Sequence, residues 1–519
     1  MKYKIKDYHD IAEKVEKMSV EDLLKIVVCP NYVLERNTPN DSDVAAFIHP
    51  TAMNTAEKEI PALNEGKKRT LIASDLEYGT GKMINGSVAF PSLRAVAETC
   101  DEELAYRMGI LTAHKAIKTG YHWTFSPCVD ILGNRRNPIV SIRSAGEDAQ
   151  TVINFGGAYM KGLQDGGLIA TLKHFPGDGY SFDDQHLTTT ENPLSYEDWN
   201  ASFGKVYRTL IEDGAKSIMP GHISFPAYDR IDDETGLYPP ATVSKRLLTD
   251  LLREELGFEG IIISDAVNMS GFCGYINLYR ACAKFLEAGG DCLLFMHAND
   301  EYIREMKKNI DLGLLDIKTL KNRAYRMLCF SREYFEEADR RRTTECDEDA
   351  LLRCAEQVTR QSIRVLRDRQ GILPFEVDSK TRIAHFILCN DGTSDESRSK
   401  AETLSGMLGK IVGKVDTYFD PGPSRALKVA KSGDYDLIVC SVLNEMSYGL
   451  NTVKLSGRVA RNMINGWMKY STPTVFISYY DPYFGYDFES PVDTLINTYG
   501  LGEYTNSVIL EKLIRVRNE

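Results

Sequence analysis

The sequence has no run of the roughly 20 apolar residues that a helical membrane span requires, so a helical membrane-spanning class is excluded. It has no Cys-x-x-Cys pair: eleven cysteines, an odd number, are scattered from Cys29 to Cys440. That pattern excludes a zinc ribbon and a disulfide framework, and the thiols read as small buried hydrophobes. Neither half contains a G-x-x-x-x-G-K-[ST] loop or a G-x-G-x-x-G opening a helix, which removes sequence support for nucleotide binding. Excess positive charge is also missing. A net charge of −12 disfavours nucleic acid, and the one basic run, Arg340-Arg341-Arg342, lies among Glu336, Glu337, Asp339 and Glu345 as a solvated helix end. Met1-Lys2-Tyr3-Lys4-Ile5-Lys6 lacks the apolar core of a signal peptide, so a cytoplasmic location is expected and the Asn85-Gly86-Ser87 glycosylation triplet carries no meaning.

What is present is an ordinary folded composition, 43% hydrophobic and 26% charged over 519 residues. The first 330 or so residues alternate short β-branched runs with helical patterns, the signature of βα units around a parallel sheet. The expected strands are 70–74, 123–127, 168–174, 217–219, 260–264 and 291–295, with 102–118 and 149–165 as outer helices. Each strand ends in polar or glycine-rich residues, where a parallel barrel places its chemistry. The Glu-, Asp- and Arg-rich stretch 334–350 marks a boundary. Beyond it, strands at 383–389, 415–419, 437–442, 475–480 and 494–499 predict a smaller α/β domain. The expected architecture is a TIM-type (β/α) barrel over 1–345, followed by a three-layer α/β sandwich over 346–519.

Two places concentrate chemistry. Lys173-His174-Phe175-Pro176-Gly177-Asp178-Gly179-Tyr180-Ser181-Phe182-Asp183-Asp184-Gln185-His186 gathers two histidines, a lysine and three aspartates within fourteen residues. Three readings are open: a hydrogen-bonded loop with satisfied histidines, a metal site, or a dyad in which Asp184 orients His186. Ile261-Ile262-Ile263-Ser264-Asp265-Ala266 delivers one carboxylate from an apolar strand, as a reactive group or as the N-cap of the next helix. Together they suggest a histidine acid on a loop opposite a nucleophilic carboxylate on a rigid strand.

At these residues the chain resembles glycoside hydrolase family three, in particular its β-N-acetylglucosaminidase branch. The matching pieces are Ser74-Asp75-Leu76-Glu77-Tyr78-Gly79, Ser141-Ile142-Arg143-Ser144-Ala145-Gly146-Glu147-Asp148, Lys173-His174-Phe175-Pro176-Gly177, Asp184-Gln185-His186, Met219-Pro220-Gly221-His222 and Ser264-Asp265-Ala266. The likeness continues through Ser362-Ile363-Arg364-Val365-Leu366 and Ile372-Leu373-Pro374-Phe375 and covers most of the chain.

The resemblance implies that Asp265, at the lip of the sixth barrel strand, is the nucleophile of a retaining mechanism. It implies that His186, paired with Asp184, is the acid and then the base. It also implies that Asp75, Arg143, Lys173, His174 and Met219 hold the terminal sugar. For Asp75 a helix cap is the structural alternative, and for Arg143 a salt bridge to Glu147 or Asp148. The family's usual Pro-Gly-His-Gly is here Gly177-Asp178-Gly179, and Tyr78 replaces a glycine beside Glu77. The implied reaction is release of terminal non-reducing β-N-acetylglucosamine from small chitin- or peptidoglycan-derived glycans, with no cofactor and no metal. A histidine acid becomes neutral after donating its proton, so phosphate could attack in place of water and yield a sugar 1-phosphate. A β-glucosidase or β-xylosidase of the same family is the alternative activity, and a catalytically silent carbohydrate-binding protein the alternative class. No nucleic-acid or membrane partner is expected, and the sequence leaves oligomeric state open.

Overall fold

In a computed structural model, the described residues are 2–31, 46–48, 70–84, 86–340 and 346–517. Asn85, Arg341, Arg342 and Glu345, on which the glycosylation and basic-run readings fall, lie outside them. The chain forms two compact units: 1–90, 102–133 and 144–351 make the first, and 91–101, 134–143 and 352–519 the second. The boundary expected at residue 345 thus falls after Leu351, inside the helix Glu348–Ser362. Two segments assigned by sequence to the barrel group with the second unit instead.

The first unit is a TIM-type barrel. Its strands are β1 (Val28–Cys29), β2 (Ala46–Ile48), β3 (Leu71–Ser74), β4 (Trp123–Thr124), β5 (Thr171–Phe175), β6 (Ser217–Pro220), β7 (Ile261–Ile262) and β8 (Leu293–Leu294). Parallel pairing runs in chain order from β2 to β4 and from β5 to β7, and β8 pairs with β1. Bridges Trp123↔Ile169 and Ile263↔Cys292 join these ladders. Burial on both faces explains why runs such as Leu71–Ala73 and Ile261–Ile263 are apolar without alternation. Sequence reading missed β1 and β2; among the described residues Asp265 follows the seventh barrel strand, where the sixth was expected. Helices Glu102–Thr119 and Ala149–Asp165 form where their apolar spacing predicts. Their backbones touch at glycine: a Cβ on Gly162 would lie 2.1 Å from the Tyr106 carbonyl oxygen.

The second unit contains a six-stranded sheet. Its strands are β9 (Arg364–Asp368), β10 (Arg382–Cys389), β11 (Lys414–Phe419), β12 (Leu437–Leu443), β13 (Thr474–Ser478) and β14 (Thr494–Asn497), in the spatial order β9-β14-β13-β12-β10-β11. All neighbours are parallel except β9, which pairs antiparallel with β14 and was not foreseen as a strand. Alternation along β10 makes the layers. Ala384, Phe386 and Leu388 pack with Val429 and Trp467 on one face, while His385 faces the helix Asp395–Gly409, its Nδ1 2.6 Å from Ser405 Oγ. The segment 134–143 joins this unit through Arg135, whose guanidinium stacks 4.1 Å from the Tyr486 ring centre. Among the described residues no helix is long and apolar enough to cross a membrane.

Candidate active site

The carboxyl ends of the barrel strands bring the chemistry-bearing residues together. Asp265 is held from both sides: its N–H donates to the carbonyl of Pro220 (3.2 Å), the last residue of β6, and the flanking Ser264 and Val267 N–H groups donate to the carbonyls of Cys292 and Leu294 around β8. The Asp265 side chain is only 14% exposed, and its Oδ1 accepts the Ala266 N–H at 2.8 Å. The next helix, Ser270–Cys273, has Met269 at its N-cap, so Asp265 is not a cap. Burial alone would raise its pKa, but His174, His222 and His186 around the carboxylate outweigh that and hold it below the ordinary value.

On β5, register slips between Lys173, opposite Met219, and Phe175, opposite Pro220, leaving His174 as a bulge. A regular strand would send consecutive side chains to opposite faces; a bulge re-aims one of them. Lys173 Nζ bridges Asp75 (2.9 Å) and Glu77 (2.7 Å), while His174 Nε2 lies 3.9 Å from Asp265 Oδ2. A strand, Glu77–Thr80, follows Asp75, so the helix-cap alternative fails there too. Met219 is buried on β6.

The loop after β5 is shaped by glycine. Gly177 (φ +125°) has a ring of Phe203 where a Cβ would stand, and Gly179 (φ +111°) has the Ile131 carbonyl there, each about 2 Å away. Asp178 is buried, its N–H donating to Asp130 and its Oδ1 accepting the Gly179 N–H. Further along, Asp184 Oδ1 accepts both the His186 N–H (2.8 Å) and His186 Nδ1–H (2.6 Å). The Asp184 side chain is fully buried, whereas His186 is 23% exposed, so the imidazole turns Nε2 outward from an anchored carboxylate. Gln185 Oε1 accepts the His222 N–H, and the His186 carbonyl accepts the Ser270 N–H, pinning this loop to the turns after β6 and β7. Burial lowers the pKa of His222. Its Nε2–H donates to the Ala266 carbonyl and its Nδ1 accepts from Thr242.

Arg143 groups with the second unit, is buried, and donates from Nη1 to the Ile139 carbonyl at 3.4 Å. Asp130 was not foreseen. It lies beyond β4, fully buried, with Oδ2 2.7 Å from His174 Nδ1 and 3.2 Å from Cys128 Sγ. The three ligand atoms lie within 4.8 Å of one another. The 2.7 Å separation is a hydrogen bond, however; nitrogen and oxygen on one tetrahedral zinc stand ~3.3 Å apart. The signal that could have found Asp130 is its position: a carboxylate just past a barrel strand.

Comparison with known proteins decides the family. The model of the glycosyl hydrolase family 3 N-terminal domain matches residues 33–330. The chain belongs to glycosyl hydrolase family 3. This family 3 glycosidase is 33% identical over 463 residues to a β-N-acetylglucosaminidase/β-glucosidase of Cellulomonas fimi, covering 86% of this chain and 80% of that one. It is 29% identical over 238 residues to a β-hexosaminidase of Methylobacillus flagellatus, covering 44% of this chain and 66% of that one. In three dimensions it is similar to a β-glucoside phosphorylase bound to 2FGlc, with TM-score 0.86, 26% identity, and coverage of 96% of this chain and 93% of that one. A family 3 β-N-acetylglucosaminidase of Paenibacillus shares the fold, with TM-score 0.79, 20% identity, and coverage of 96% and 99%.

Proposed function

We propose that this family 3 glycosidase removes terminal non-reducing β-N-acetylglucosamine by a retaining mechanism, with Asp265 as nucleophile and His186 as acid and base. The observation that carries the reading is the Asp265 carboxylate, 14% exposed at the carboxyl end of its strand and 3.9 Å from His174 Nε2, together with the Asp184–His186 pair joined at 2.6 Å on the loop after β5. Asp265 attacks the anomeric carbon as His186 Nε2 protonates the departing oxygen. The glycosyl–enzyme ester is then opened by a nucleophile that His186, now neutral, deprotonates. Asp75, Lys173 and His174 supply the acceptors and donors for sugar hydroxyls.

A neutral imidazole does not repel an anion as a spent glutamate would, so phosphate competes with water and the product includes the sugar 1-phosphate. The likeness to a β-glucoside phosphorylase supports that branch, and the dual name of the Cellulomonas fimi relative supports glucose as a second acceptable sugar. Turnover of aryl β-N-acetylglucosaminide and aryl β-glucoside, each with and without millimolar phosphate, tests both points. Sugar 1-phosphate formed from the acetamido substrate at the higher kcat/KM is expected. Free sugar alone in phosphate would remove the phosphorylase branch; a strong preference for the glucoside would remove the acetamido assignment.

A further inference from the structure

His174 stands between two carboxylates, and the second of them has no part in the mechanism above. Asp130 is buried to 0% exposure, and its two oxygens have distinct partners. Oδ1 accepts two backbone N–H groups, from His174 (3.1 Å) and Asp178 (2.7 Å). Oδ2 lies 2.7 Å from His174 Nδ1 and accepts the Cys128 thiol at 3.2 Å. On the far side of the ring, Nε2 lies 3.9 Å from Asp265 Oδ2.

An ionised carboxylate only accepts hydrogen bonds, so the nitrogen 2.7 Å away must carry a proton. We propose that Asp130 is a positioning residue for the glycosidase reaction: it keeps a proton on His174 Nδ1, and so decides that Nε2 is the nitrogen turned toward Asp265 and the sugar. This inference rests on the reading of Asp265 as nucleophile for its catalytic meaning, though not for its geometry. The two-sided partnering of Asp130 makes the claim sharp. In Asp130→Asn, the two backbone N–H donors need an oxygen at the Oδ1 position, which forces the new amide nitrogen into the Oδ2 position. That amide N–H and the His174 Nδ1–H would then face each other, two donors with no acceptor between them. The ring escapes by moving its proton to Nε2, the opposite tautomer.

The test is nitrogen NMR of the full-length protein with ¹⁵N-labelled histidine, read without substrate, the His174 signals being assigned by their loss in His174→Gln. Expected in the native protein is a protonated Nδ1 at every pH where the fold persists. Expected in Asp130→Asn is the Nε2–H tautomer, with kcat/KM lowered on the order of 10²–10⁴-fold, as when a buried aspartate behind a catalytic histidine is replaced by its amide. A native His174 with a bare Nδ1 overturns the proposal whether or not the variant folds. A folded Asp130→Asn with native tautomer and native rate overturns it as well. Failure of Asp265 as nucleophile would show in chemical labelling and leave the nitrogen spectrum unchanged, so the two failures are distinguishable.

Discussion

Replacing Asp184 by asparagine probes the proton-donating pair most selectively. A single oxygen, Oδ1, accepts both the His186 N–H at 2.8 Å and the His186 Nδ1–H at 2.6 Å. An amide oxygen can take that place, so loop and ring orientation persist and only the charge is lost. A hydrogen bond to a charged acceptor contributes ~1.5–3 kcal/mol and a neutral one ~0.5–1.5 kcal/mol. Two such bonds to one oxygen therefore lose about 1–3 kcal/mol, which is about 5- to 150-fold in rate if the loss falls on the protonated imidazole. The assay is kcat/KM for aryl glycosides with leaving groups from poor to activated. The penalty should be largest for the poor leaving group, which needs a proton, and should shrink toward nothing for a dinitrophenolate, which does not. His186→Gln should show the same trend more steeply. A loss of equal size across the series would refute His186 as the acid.

The histidines around Asp265 hold its pKa below the ordinary carboxylate value, so the acid limb of kcat/KM due to this group should lie below pH ~4; the nucleophile works ionised and is lost only as pH falls through its lowered value. His174→Gln removes the imidazole that does most to hold the Asp265 value down and should move the limb to higher pH; an unmoved limb would contradict the assignment. Two residues before β8, Asp291 is a fully buried carboxylate clamped by Arg253 Nη2 (2.7 Å) and Arg326 Nε (2.9 Å). Asp291→Asn should destabilise the first unit by ~3–5 kcal/mol in denaturant unfolding at neutral pH. Its pKa is depressed in the fold: burial opposes ionisation, but Arg253, Arg326 and Arg323 prevail. The stabilisation is therefore present above the unfolded-state value of ~3.9 and lost as pH falls through the folded value, so the difference between variant and native protein should close in acid.

The barrel and the sandwich were legible because short doubly buried strands leave apolar runs, as in Leu71–Ala73 and Leu437–Cys440. β1 and β2 escaped because two or three residues carry no period, and β9 because its residues are half or fully exposed at the sheet edge. The loss of 91–101 and 134–143 to the second unit was invisible, since grouping in space is decided by contacts such as Arg135 on Tyr486 that no local pattern encodes. At the site, the Asp184–His186 pairing is a two-residue affair and could be read directly. Asp130 could be suspected from its place just past a barrel strand, but its partner could not be read: that is His174, 44 residues later, at the bulge in β5.

The central claim is that the Asp265 carboxylate bonds covalently to the sugar. Incubation with a 2-deoxy-2-fluoro glycosyl fluoride, followed by proteolysis and mass spectrometry, measures this directly. The account predicts one sugar per chain, carried on the peptide containing Ser264-Asp265-Ala266, and no label in Asp265→Asn. A label on any other carboxylate, or on Asp265→Asn to the same extent, would contradict it.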